Sequence, residues 1–149
     1  MKVSKDFEEF FVSLNKNEVN YLVVGGYAYA IHAEPRFTKD LDIFIQREEK
    51  NASALLHALK EFGRDLEGLE ESDFLIPEQV VQLGYPPFRI DLLTSISGVE
   101  FEDAWKNKVT GRYGDEQVYF IGKEDLIKNK KSSGRKSDLD DLDRLGQDV

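Results

Sequence analysis

A mixed α/β (α+β) domain is predicted here, with a mostly antiparallel sheet and helices packed mainly on one face. Two observations predict it. The front of the chain runs through helix, strand, helix and strand patterns in turn, and the chain after residue 78 carries hairpin signals. The length of 149 residues fits one domain, 1–149, large enough to bury a core.

The elements follow in order. Over 4–17, Phe7, Phe10, Phe11 and Leu14 recur at three- and four-residue steps, which predicts an amphipathic helix with Ser4 as N-cap and Asp6 in its first turn. An aromatic stripe at this spacing is a core face. Tyr21-Leu22-Val23-Val24 is a buried-strand signal that ends in Gly25-Gly26. A short helix over about 26–33 follows and stops before Pro35. A strand is expected over 40–46, then a helix over 48–62 with Ala54, Leu55, Ala58, Leu59 and Phe62 inward and Gly63 ending it. Residues 63–77, with Glu67, Glu70, Glu71 and Asp73, read as an irregular acidic surface loop. Gln79–Gly84 and the run Arg89-Ile90-Asp91-Leu92-Leu93 suit an antiparallel hairpin across the turn Tyr85-Pro86-Pro87. A short helix over 101–107 carries Trp105 as a packing residue. Residues 109–113 and 117–121 flank Gly114-Asp115-Glu116 as a second hairpin, and 123–133 and 137–146 read as two helices.

Composition narrows the function. Apolar content of 40% and charged content of 33% are those of a soluble globular protein. No apolar run reaches the length of a membrane span, and Met1-Lys2-Val3-Ser4 opens directly onto an amphipathic pattern without a secretory leader. Cysteine is absent, which excludes disulfides and thiolate metal sites and makes the cytoplasm the default location. A net charge of −9 argues against a broad nucleic-acid surface. It does not argue against a local cationic cluster such as Lys123, Lys128, Lys130, Lys131, Arg135 and Lys136. Lys123 and Lys131 read as solvated helix positions. His32 and His57 pair with no Ser or Cys at a recognisable spacing, so a hydrolase triad has no support; His57 reads as surface or half-buried, and His32 as a structural residue close enough to the motif for a nucleotide contact to be the alternative.

Three carboxylates carry the chemistry. Strand side chains alternate, so Asp40 and Asp42 share one face while Leu41 and Ile43 enter the core. Like charges that close raise each other's pKa, and a divalent cation relieves them. Oxygen donors without His or Cys suit Mg²⁺ or Mn²⁺. Asp91, between Ile90 and Leu92, would complete the set if its strand lies beside the first. Gly25-Gly26 at a strand-to-helix turn offers backbone N–H groups to an anion. Aspartate is disfavoured inside strands, so an ordinary surface edge is the weaker account of three such residues.

The Gly25-Gly26 turn followed by Asp40-Leu41-Asp42 resembles the signature of the polymerase-beta-like nucleotidyltransferase superfamily. The string from Gly25 to Ala28 and from Arg36 to Asp42 looks most like its small bacterial members, of abortive-infection and toxin–antitoxin type. The run from Glu124 through Lys130 and Arg135 to Asp138 and Leu142 is similar to the later Lys/Arg and Asp motif of that group. The resemblance implies a nucleotidyltransferase-like fold and a metal-dependent enzyme that moves an NMP from an NTP to an acceptor hydroxyl on a protein, RNA end or small molecule. It implies catalytic and metal roles for Asp40, Asp42 and Asp91, and nucleotide contacts from Gly25, Gly26, Lys130, Arg135 and Asp138. Lys130 is expected to be solvent-reachable. A cognate toxin or antitoxin is an expected partner. Many members carry Gly-Ser at the phosphate turn; here Gly26 leaves backbone N–H groups alone for that contact. The rival expectation is a non-catalytic module on the same fold that binds a nucleotide or a toxin–antitoxin partner. Asp141 either orients Lys130 or Arg135 or is exposed. Arg36 pairs with Asp42, Asp91 or a phosphate, or lies in a solvated loop, and Thr38 orders that loop.

Overall fold

The computed structural model describes residues 3–36, 38–63, 68–84 and 89–146. The expected turn Tyr85-Pro86-Pro87, Glu67 of the acidic segment and the start of the chain at Met1-Lys2 lie outside the described residues. The helices are α1 (Lys5–Lys16), α2 (Gly25–His32), α3 (Glu49–Phe62), α4 (Phe101–Lys106), α5 (Lys123–Ser133) and α6 (Lys136–Arg144). The strands are β1 (Tyr21–Val24), β2 (Asp40–Ile45), β3 (Val80–Leu83), β4 (Arg89–Leu93), β5 (Val109–Tyr113) and β6 (Glu116–Phe120).

Sequence position explains most boundaries. Ser4 caps α1 by accepting from the Phe7 N–H, and Phe7, Phe10, Phe11 and Leu14 are buried as the period requires. Gly63 closes α3 at φ +84°, a conformation that costs glycine nothing. The acidic segment is not all irregular. A short 3-10 helix, Glu71–Phe74, is closed by Glu70 and Asp73 capping each other's backbone. It drives Phe74 fully into the core. One aromatic among acids gives no periodicity to read, and burial of that ring decided the local structure.

The described strands form one sheet in the order β3-β4-β2-β1-β6-β5. Pairs β3–β4, β1–β2 and β5–β6 are antiparallel, and β2–β4 and β1–β6 are parallel. Alternation gives the sheet two unlike faces. One carries Tyr21, Leu41, Ile43, Ile45 and Val118, all fully buried. α1 packs there, with Phe11 at 5.9 Å from Tyr21, and Ser13 donates to the Ala58 carbonyl at 2.7 Å, tying α1 to α3. The opposite face is covered in part by α4, whose Phe101 meets Phe44 at 5.2 Å and whose Trp105 meets Tyr119 at 5.5 Å. Phe44 lies two residues beyond Asp42, so the acidic side chains occupy the part of this face nearer the start of β2. No described helix is long and apolar enough to cross a membrane.

Candidate functional site

Strand register builds the site. β2 and β4 run parallel with Asp40 opposite Arg89 and Asp42 opposite Asp91. Residues two apart on a strand and directly opposite across a pair share a face, so these four side chains form a two-by-two block. The expected adjacency of Asp42 and Asp91 is what the sheet provides.

The block is closed on one side by the glycine turn. Gly25 opens α2 at φ +65°, and a Cβ there would stand 2.3 Å from Asp42 Oδ2. A Cβ on Gly26 would stand 2.8 Å from Thr38 Oγ1. Both glycines are therefore spacers as well as flexible joints. No side chain caps the first turn of α2, and no acidic residue lies in it, so its N–H groups suit an anion. Thr38 donates to the Asp40 carbonyl at 3.3 Å, which fits the loop-ordering role. We expect Gly25→Ala to lower the melting temperature by forcing a left-handed residue against Asp42, and to remove any nucleotide-induced shift in that temperature. An alanine variant with wild-type melting and a wild-type shift would contradict this.

Arg89 is the residue the sequence reading missed. Its Nη2 donates to Asp40 Oδ2 at 2.9 Å and to Asp91 Oδ2 at 3.2 Å, and its Nε donates to Asp91 Oδ1 at 3.0 Å. Asp42 receives none of these bonds. Its carboxyl is pushed up to about 6 by burial first, then by Asp91 and Asp40, against the pull of Arg89 and Arg135. The donor set fits a hard divalent cation: oxygens only, on one face, with one carboxylate short of positive charge. It is not a finished cage, because among the described residues no three His, Cys, Asp or Glu groups already converge as metal ligands.

The later motif folds differently from expectation. Lys130 is buried, not solvent-reachable, with Nζ 3.2 Å from Asp138 Oδ1 and 2.8 Å from Asp141 Oδ2. Asp138 is buried too and accepts from Ser133, Arg135 and Lys130. The reason is economy of charge: helix packing put Lys130 inside, and an interior ammonium needs carboxylates. Arg36 pairs with neither Asp42 nor Asp91. It forms a fork with Asp141 and lies over the Tyr29 ring at 3.8 Å. Asp141 thus does orient Lys130. Burial opposes the ionised form of Asp138 and Asp141, but the bonds from Ser133, Arg135 and Lys130 to the first, and from Arg36 and Lys130 to the second, outweigh it and hold both carboxyls low. Arg135 alone of this group is mostly exposed, at 75%, with Nε 2.9 Å from Asp138 Oδ2. Its charge reaches Asp42. His32 is structural, with Nε2 2.7 Å from the Ile121 carbonyl oxygen, and His57 is exposed.

Known proteins resemble this chain in family and in fold. A family model described as nucleotidyltransferase of unknown function (DUF6036) matches residues 1–146. No curated protein matches the sequence significantly. Among solved structures, the chain is similar to the candidate nucleotidyltransferase TM1012 of Thermotoga maritima, at 17% identity and a TM-score of 0.61 over 92% of this chain and 88% of that one. It is similar to the lincosamide antibiotic adenylyltransferase LnuA, solved with lincomycin bound, at 15% identity and 0.58 over the full length of both. An antigenic nucleotidyltransferase-like protein of Paracoccidioides brasiliensis gives 19% identity and 0.54 over 96% of this chain and 77% of that one.

Proposed function

The chain belongs to the nucleotidyltransferase family of unknown function DUF6036, and on that premise we propose that it moves a nucleoside monophosphate from an NTP to an acceptor hydroxyl. One observation carries the reading: Asp40, Asp42 and Asp91 share a face of adjacent strands, against a glycine turn that a side chain would obstruct. The triphosphate would lie on the N–H groups that begin α2. Asp40, Asp42 and Asp91 would hold Mg²⁺ or Mn²⁺, which when bound supplies charge neutralisation at the phosphates. Arg135, anchored by Nε on Asp138, would neutralise phosphate charge, and Lys130 and Asp141 would fix that anchor from the buried side. The acceptor oxygen attacks the α-phosphorus. As the new O–P bond forms, the bond to the β-phosphate oxygen breaks, pyrophosphate leaves, and the hydroxyl proton passes to Asp91.

The acceptor is a protein side chain, an RNA end or a small molecule. A net charge of −9 weighs against RNA unless a basic partner assists. We read 1–149 as one domain acting in the cytoplasm, with a cognate toxin or antitoxin as a candidate partner. The rival, a non-catalytic module holding a nucleotide or such a partner, draws support from Arg89, whose guanidinium engages two of the three carboxylates.

Incubation with each α-labelled NTP, Mg²⁺ or Mn²⁺ and host lysate separates the two. We expect label on a discrete acceptor, and in Asp91→Asn a loss of labelling far larger than the loss of nucleotide affinity. A nucleotide-bound wild type that labels nothing with any of the four NTPs would establish the module instead.

A further inference from the structure

We propose that Arg89 is a resident cation of the carboxylate face, holding Asp40 and Asp91 in the metal-free protein and released when a divalent ion arrives with its nucleotide. The inference rests on the nucleotidyl-transfer reading. Register places Arg89 directly across from Asp40 and on the same face as Asp91. Its guanidinium grips both oxygens of Asp91 and one of Asp40. While that grip lasts, both Asp91 oxygens are engaged, and a metal ion there would stand beside the bound guanidinium charge. The fork suits this task, since a planar guanidinium bridges two carboxylates where an ammonium would serve as a point charge.

Exposure makes the grip reversible. The Arg89 side chain is 29% exposed, so a rotamer change carries it to solvent, whereas Lys130 is sealed at 6%. Release also has somewhere to lead. A triphosphate on the α2 turn offers the freed guanidinium an anion in place of the carboxylates it leaves. Metal and nucleotide therefore favour each other's binding, and a metal ion alone meets carboxylates already held by Arg89. Arg89 acts here as a gate on metal entry and as a positioning residue for Asp91.

Mn²⁺ binding followed by electron paramagnetic resonance, without turnover, tests this. In the absence of nucleotide, Arg89→Met should bind Mn²⁺ roughly ten- to a hundredfold more tightly than wild type, the scale of lost charge-assisted bonds. A non-hydrolysable ATP analogue should then improve Mn²⁺ affinity less in the variant than in wild type. Arg112→Met removes the same charge at the far edge of the sheet, where Arg112 on β5 bonds to the Asp115 carbonyl, and should change affinity by no more than about threefold. Equal shifts in the two variants, or none in Arg89→Met, with binding still abolished by Asp42→Asn, would overturn the gate and leave the metal site standing. Absence of Mn²⁺ binding in every variant, with and without the analogue, would overturn both. Should Arg89→Met fold poorly, the ¹⁵N-labelled Arg89 Nε–H resonance of the wild type gives the same answer. It should shift on adding Mg²⁺ with the analogue, and an unmoved resonance in nucleotide-bound protein would overturn the gate.

Discussion

Asp42→Asn should make the metal-free protein more stable while it lowers nucleotidyl transfer by at least about a hundredfold. Both effects come from one carboxyl. Burial and the neighbouring Asp91 and Asp40 push it up to about 6. A carboxyl raised in the folded state costs nothing below its unfolded value near 4, where it is protonated in both states. The cost grows as pH rises between about 4 and 6, then stays constant. At pH 8 it reaches, as an upper bound, about 3 kcal/mol. Asparagine keeps the shape and carries no charge. Denaturation of the two metal-free proteins should therefore show a gap favouring the variant at pH 8 that closes near pH 4. Equal stability at pH 8 would remove the charge crowding on which the metal reading depends.

Lys130→Ala should cost about 3–5 kcal/mol of folding stability, the penalty for stranding buried carboxylates. The side chains of Lys130, Asp138 and Asp141 are 6%, 10% and 4% exposed. Asp138 and Asp141 have folded pKa values below their unfolded ones, so their stabilisation is complete above about 4 and is lost as pH falls through those lowered values. Wild type should lose stability on acidification in that window, and Lys130→Ala should lose less. A urea midpoint in Lys130→Ala equal to wild type at pH 7 would return Lys130 to the surface and to the role of a free phosphate contact.

The two ends of the site differed in how far the sequence revealed them. The shared face of Asp40, Asp42 and Asp91 was legible because a period of two turns Leu41, Ile43, Ile90 and Leu92 the other way. Arg89 obeys the same period, lying two residues before Asp91, and could have been read as its neighbour on one face. It was passed over because a cation among prospective metal ligands looks like a strand end rather than a member of the set. Lys130 was misread for another reason. On α5 the buried residues Asp125, Leu126, Ile127 and Lys130 give little amphipathic contrast, so nothing local marks which charges turn inward. That depends on the docking of α6 and on Arg36, distant in sequence. The same holds for Asn51. It ties the Asn20 backbone to the Gln46 carbonyl through bonds of 2.7 and 3.0 Å, and reads in sequence as an ordinary helix residue.

A crystal of the protein grown with Mn²⁺ and a non-hydrolysable NTP analogue tests the central claim most directly. The account predicts anomalous density from manganese at coordination distance from Asp42 and at least one of Asp40 and Asp91, phosphate oxygens on the N–H groups of Gly25 and Gly26, and Arg89 withdrawn from the carboxylates. Manganese and phosphate bound elsewhere, with Arg89 still bridging Asp40 and Asp91, would contradict it.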